Sequence, residues 1–429
     1  MMEPVTTGPD GLLDLPAGAQ RLLAEARRIL RTKGAAACTV GAVTEAAGLD
    51  KSAVRYYFGN KDGMIVALGD SILTSFETDE RRRIAESASA DDPLGGRIAQ
   101  QRKKITGPDA TTMLELAPVL LRHGELRCRF ADWQRRQSEL EYSVLRRCGD
   151  GDERSLRTLA TVVQAIVMGL TVQSAPDPSL DVGAVLRLLL SMLRRTLGIQ
   201  DRSPADPAGE TAARLTDAGR AIPDDPMLGW AERLDVPDPL RDVPESGRRL
   251  VRAAQRILEE RGWASLTVST VTAAAGLDKA AVSYYFGDKA GLVSAMVEST
   301  LHDQNTDEIE RLVHLGDAED GLAFLVAHHR RAATLPAALS YFELLPQRIR
   351  DPQLRQRMLG WDTWYRDVDA YALALYSGRP MNSLTDLATL TGALTDGVSL
   401  RLAADPEVDI DGMYTLWEDM LRRELAASE

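Results

Sequence analysis

With 429 residues, of which 44% are apolar and 27% charged, the chain is too long for one ordinary core and has the make-up of a globular protein of two to four domains. A net charge of −12 excludes a protein that coats nucleic acid by bulk attraction. The three cysteines, Cys38, Cys128 and Cys148, are an odd number without metal-ligand spacing, which excludes a disulfide framework or zinc site and reads as small packed thiols.

The opening MMEPVTTGPDGLLDLPAG has neither a basic stretch nor a continuous apolar one, and no apolar run reaches the roughly 18–20 residues of a membrane span. The expectation is a cytoplasmic protein with no membrane partner. Apolar residues then recur at three and four, as in Leu22, Leu23, Ala26, Ile29 and Leu30, and this period predicts helix. Gly34 stops that helix and Thr39 caps the next, which runs to Ala46. A turn at Gly48-Leu49-Asp50 leads into a helix from Lys51 toward Phe58, and a fourth starts near Gly63. Two helices joined by such a turn form a helix-turn-helix, whose second helix lies in a major groove. Val43, Leu49, Val54 and Phe58 face its core. Further helices are expected over 153–174 and 182–197, and no alternating strand pattern is found.

The whole pattern then repeats. At an offset of 228, TVGAVTEAAGLDKSAVRYYFGNKDG (39–63) lies over TVSTVTAAAGLDKAAVSYYFGDKAG (267–291) without a gap. The same offset places Leu114-Glu115-Leu116-Ala117-Pro118 on Phe342-Glu343-Leu344-Leu345-Pro346, Trp133 on Trp361, and Gly169 on Gly397. A complete two-part unit has therefore been duplicated. The expected organisation is a first head over 17–62, a first helical body over 63–200, a Pro/Asp-rich linker over 201–245 with a short helix over 210–221, a second head over 246–290 and a second body over 291–429 that ends in helices over 384–404 and 410–426.

The repeated segment T-V-x-x-V-T-x-A-A-G-L-D-K-x-A-V-x-Y-Y-F-G-x-K-x-G resembles the DNA-binding domain of the TetR family of bacterial regulators. The resemblance implies an all-α fold of two tandem units, each a three-helix head with a larger helical effector and dimerisation body. It also implies repression relieved by a small effector. The residues facing DNA are then Thr39, Lys51, Ser52, Arg55, Tyr56, Tyr57 and Lys61 in the first head, and Thr267, Lys279, Ala280, Ser283, Tyr284, Tyr285 and Lys289 in the second. In each tyrosine pair one ring packs on the head while the other offers its hydroxyl to a phosphate. From Arg21 to Lys61 the local charge balance is +5, and from Arg249 to Lys289 it is +2; both are positive islands in an acidic chain.

The expected partners are a double-stranded operator and an unidentified small-molecule effector. The two copies either pair within one chain, on an imperfect palindrome, or form a homodimer between chains. For the effector the aromatic residues Tyr341, Phe342, Trp361, Trp364 and Tyr365 favour a pocket in the second body, with Trp133 the corresponding candidate in the first. The competing reading is helix-packing core with partly exposed histidines, His328 and His329. No phosphate loop, metal-ligand cluster or nucleophile-base pattern occurs, so neither catalysis nor a cofactor is expected. The alternative function is an effector-binding or scaffolding protein in which only the first head is competent for DNA.

Overall fold

A computed structural model of the chain describes residues 15–87, 91–149, 151–199, 238–312, 320–335 and 337–426. The regular elements among them are all helices. They gather into two compact units, Met1–Ile199 with Asp396–Met413, and Gln200–Thr395 with Tyr414–Glu429. The expected linker lies outside the described residues as far as 237, and with it the helix expected over 210–221.

The first unit begins with α1 (Ala17–Lys33), whose apolar stripe Leu22, Leu23, Ala26, Ile29 and Leu30 is buried. After a 3₁₀ turn, α2 (Val40–Ala46) is capped by the Thr39 hydroxyl, which accepts from the Ala42 N–H at 3.1 Å. Gly48, at φ +62°, makes the left-handed step that a side chain would resist. The Asp50 carboxylate then accepts from the Ser52 N–H at 2.8 Å to start α3 (Ser52–Phe58). Val43 and Val54 are fully buried between these helices, whereas Leu49 and Phe58 are half-buried at the edge. The long α4 (Lys61–Ser87) runs from the head into the body.

The body adds α5 (Pro93–Ile105), α6 (Pro108–Arg122), α7 (Gly124–Cys148), α8 (Glu153–Ser174) and α9 (Val182–Thr196). Asp92, Asp152 and Asp181 cap α5, α8 and α9, each accepting a backbone N–H at 3.0 Å. By length and composition alone α8 would suffice to cross a membrane, but 72% of its apolar window is buried against the other helices, so it reads as a core helix, in line with the expectation of no membrane span. The cysteine expectation needs correcting, because only Cys38 is packed and Cys128 is exposed. Burial and the Glu115 charge push the Cys38 thiol up to about 11.

The second unit repeats the head as α10 (Glu245–Arg261), α11 (Val268–Ala275) and α12 (Ala280–Phe286), followed by α13 (Lys289–Leu312). The cap, the turn and the start of α12 are rebuilt by Thr267, Gly276 at φ +64° and Asp278. Val271 and Val282 are buried, with Leu277 and Phe286 packed at the edge of the same cluster. The body continues with α14 (Gly321–Ala333), α15 (Ala337–Arg350), α16 (Pro352–Ser377), α17 (Thr385–Ala404) and α18 (Ile410–Ala426). The observed ends of α8, α9, α17 and α18 fall within about a residue of the expected ones.

Residues 396–413, which belong to the second copy by sequence, belong to the first unit by packing. A Cβ on Gly397 would overlap the carbonyl oxygen of Ala165, so the absence of a side chain is what lets this stretch of α17 lie directly on α8.

Candidate nucleic-acid interface and body cavities

In the first head Thr39, Lys51, Ser52, Arg55, Tyr56 and Lys61 are all exposed. Tyr56 is 76% exposed and Tyr284, its counterpart, 82%, which is unusual for residues this apolar. Each makes an edge-to-face contact with the next tyrosine at 4.9 Å. That second ring is turned inward. A side chain on Gly18 would overlap the Tyr57 hydroxyl, and Tyr285 lies in van der Waals range of the same construction on Gly247. Tyr57 and Tyr285 therefore wedge α3 and α12 against the first helix of each head, and Tyr56 and Tyr284 project.

The second head presents Thr267, Lys279, Ala280, Ser283 and Tyr284 to solvent in the same frame, but with less charge to offer. Arg249 donates to the Ala275 carbonyl at 3.2 Å and so is tied to the turn. The Lys289 ammonium sits 4.6 Å from the centre of the Trp263 ring, and burial there pulls its pKa below the ordinary lysine value. Lys61, on which Lys289 falls in the repeat, is exposed, because Ala35 stands where the second copy has Trp263.

Each head is joined to its body by a carboxylate. Glu115 on α6 accepts from the Ala35 N–H at 3.3 Å, and Glu343 on α15 accepts from the Trp263 N–H at 2.9 Å. The matched Leu114–Pro118 and Phe342–Pro346 stretches contain both glutamates. Repetition marked these residues, although not their task.

The body of the first unit holds a buried charge network that the sequence reading missed. Arg97 donates to Glu141 at 2.7 and 2.9 Å and to Glu80, Gln101 and Gln164 donate to Glu141 at 3.1 and 2.6 Å, and Lys104 lies 3.7 Å from Glu80. Burial alone would raise the Glu80 pKa, but Lys104 and Arg97 outweigh it and bring the value down to about 2. At the offset of 228, Gln101 and Glu141 fall on His329 and Asp369. These also pair, at 2.9 Å, and the Thr395 hydroxyl lies 2.9 Å from the other ring nitrogen of His329. His329 is thus buried, against the expectation of partial exposure. A polar pair is kept in both cores while its residues change, which is why comparison by identity did not reveal it.

Beside the first network lies a cavity of about 40 Å³ lined by Phe76, Glu80, Lys104, Met113, Trp133 and Met168. The indole N–H of Trp133 and both amide atoms of Gln137 are buried without a hydrogen-bond partner. Of the candidates in the second body, Phe342 is fully buried and Tyr341, Trp361, Trp364 and Tyr365 are half-buried. The last three form a chain of edge-to-face contacts at 6.3 and 4.9 Å.

Two helix-turn-helix heads, each with an exposed recognition helix and a long fourth helix entering a helical body, define a DNA-binding protein. The family described as "Bacterial regulatory proteins, tetR family" matches at residues 22–68 and again at 250–296. The chain is similar to the HTH-type transcriptional regulator BetI of Burkholderia cenocepacia (strain HI2424), at 27% identity over 198 residues, covering 43% of this chain and 100% of that protein. It is 28% identical over 197 residues to the BetI regulator of Burkholderia mallei (strain NCTC 10229), covering 43% of this chain and 98% of that protein. With BetI of Stenotrophomonas maltophilia (strain R551-3) the identity is 38% over 60 residues, 14% of this chain and 31% of that protein. The chain carries the TetR-family DNA-binding domain twice, in tandem, and is a transcriptional regulator of the helix-turn-helix type.

Proposed function

We propose that the protein is a cytoplasmic repressor whose two copies pair within one chain on an operator with two unequal half-sites, and that a small effector releases it. The observation that carries DNA reading by both heads is their common frame: the same cap, turn and projecting tyrosine, with Tyr56 and Tyr284 left 76% and 82% exposed. Inequality of the half-sites rests on Ser52 and Arg55 standing where the second head has Ala280 and Ser283. An arginine can clamp a guanine edge with two hydrogen bonds, which a serine cannot. In support of pairing within the chain, residues 396–413 pack as part of the first unit, with Gly397 on the backbone of α8. An intramolecular pair also gains an effective concentration on the order of millimolar.

For the effector, the first body offers the Trp133 cavity, and the route from it to DNA is short. Met113, in the cavity wall, and Glu115, which holds the head, lie on the same helix two residues apart. At about 40 Å³ the cavity has room for little more than water. A ligand must therefore displace α6 or α4 to enter, and that displacement is the proposed signal. The aromatic chain at Trp361, Trp364 and Tyr365 is the corresponding candidate in the second body.

Chain mass in solution, free and on operator DNA, tests the pairing. One chain per operator is expected, and two chains with four engaged heads would refute it. The Arg249 tether and the Lys289–Trp263 stack favour the second reading, in which the first head alone binds DNA. That reading requires two chains on the operator.

A further inference from the structure

A second cavity in the first unit, of about 300 Å³, lies among α7, α8, the end of α17 and the start of α18. Its charged lining is nearly self-compensating. Arg135 pairs with Asp405 at 2.7 Å and with Asp132 at 2.7 Å. Arg157 pairs with Glu139 and with Glu153. Asp409 caps α18 through the Gly412 N–H at 2.9 Å.

Arg401 is the exception. It is only 5% exposed, yet its acceptors are neutral: the Ser138 hydroxyl at 2.6 Å and the Gln134 carbonyl at 3.2 Å, both reached from Nη2. A guanidinium carries five N–H donors, and the groups on Nε and Nη1 have no protein acceptor. Beside it, the side-chain amide of Gln134, 4% exposed, has neither its oxygen nor its nitrogen hydrogen-bonded. A buried cation without a carboxylate partner is costly. Burial accordingly brings the Arg401 pKa down to about 10, with only the Asp405 charge opposing it. An uncompensated guanidinium and an unsatisfied amide therefore share a cavity whose size meets the lower end of ligand pockets.

We propose that this cavity is a ligand site distinct from the Trp133 cavity, and that it takes the oxyanion group of a small molecule, a carboxylate or a phosphate, on Arg401 with the Gln134 amide as second anchor. The carboxylate and phosphate sources share one chemistry, the planar or tetrahedral oxygens that a guanidinium fork accepts. The site is peculiar to one copy. At the offset of 228, Arg401 falls on Gln173, Arg157 on Thr385 and Ser138 on Arg366, so the repeat does not supply the same donors twice. The proposal does not depend on the effector reading given above, since no residue of the Trp133 cavity lines this one.

Thermal melting of the full chain without DNA, in chloride buffer of constant ionic strength with acetate or inorganic phosphate added, tests it. A saturable rise of roughly 2–4 °C is expected with one of the two anions, and the anion that responds identifies the source. Phosphate stabilises many proteins through general exclusion, so the decisive quantity is the difference between wild type and variants. Arg401→Gln should lose the saturable component. Ser138→Asp supplies an internal carboxylate against Arg401, and should melt higher than wild type without added anion and no longer respond to it. If Arg401→Gln does not fold, Ser138→Asp carries the test alone. Absence of a saturable shift with either anion, or a full response retained in Ser138→Asp, overturns the proposal.

Discussion

Replacing Arg97 by Met removes the cation at the centre of the first body while keeping most of its volume. Arg97 is 0% exposed and Glu80 and Glu141 are each 1% exposed, so the two carboxylates remain buried after the substitution. Glu80 then keeps Lys104, at 3.7 Å, and Arg83, at 4.0 Å, and Glu141 keeps the amides of Gln101 and Gln164. Breaking a buried ion pair in this way costs about 3–5 kcal/mol, or roughly 6–20 °C in the melting of a unit of this size.

The pH dependence is the sharper readout. In the wild type Glu80 titrates at about 2 when folded, below its ordinary value of 4.5. Its contribution is therefore fully present above pH 4.5 and is lost as pH falls toward 2. Without Arg97 one of the two largest charges that hold the Glu80 carboxyl down is gone, so its folded pKa rises from about 2 toward the ordinary value. The stability it contributes above pH 4.5 shrinks accordingly, and the difference from wild type fades as pH falls toward 2. Calorimetry at pH 3 and pH 7 should show a variant that loses more stability relative to wild type at pH 7 than at pH 3, and Glu141→Gln added to Arg97→Met should recover part of the loss. An equal loss at both values, or a total under about 1 kcal/mol, would show that the network does not carry the buried charge as the geometry requires.

Arg55→Ala is expected to weaken operator binding by about 1–3 kcal/mol and to relax discrimination in one half-site only; filter binding against operators altered in either half checks this. Lys279→Ala should lower affinity across sequences and reduce the salt slope by about 1, and no effect would leave the first head acting alone. Glu115→Ala removes the acceptor of the Ala35 N–H and should speed hydrogen exchange at residues 35–38 while the second head is unchanged; unaltered exchange would mean that α6 does not hold the head. Gly397→Ala forces a Cβ onto the Ala165 carbonyl and should destabilise the first unit by about 1–3 kcal/mol, with an unshifted melt counting against the close helix approach.

The heads were legible because their structure depends on residue types with few substitutes. A left-handed turn calls for Gly48 or Gly276, and a capped start calls for Thr39 or Thr267. The long helices were legible from period alone. What stayed hidden was the polar interior of the bodies, since a buried glutamate on α7 has the same helical spacing as a solvated one and its partners lie on other helices. Weight of aromatic residues pointed to the second body for a pocket; what it could not show is that in the first body the buried Trp133 and Gln137 keep unsatisfied donors, Trp133 in the wall of a cavity. That residues 396–413 join the first unit was equally unreadable, because one helix pattern serves any apolar neighbour.

The two heads share their scaffold and differ at Ser52/Ala280 and Arg55/Ser283, and this has a consequence for how such a regulator changes over generations. In a dimer of identical chains each codon of the recognition helix is expressed in both heads, so a change in reading preference strikes both halves of the target at once and must be answered twice in the DNA. Here Arg55 and Ser283 are separate codons. On the proposed pairing, one half of a binding site can drift and be followed by its own head while the other half still anchors the protein, and a new target is reachable by single steps that each keep partial occupancy.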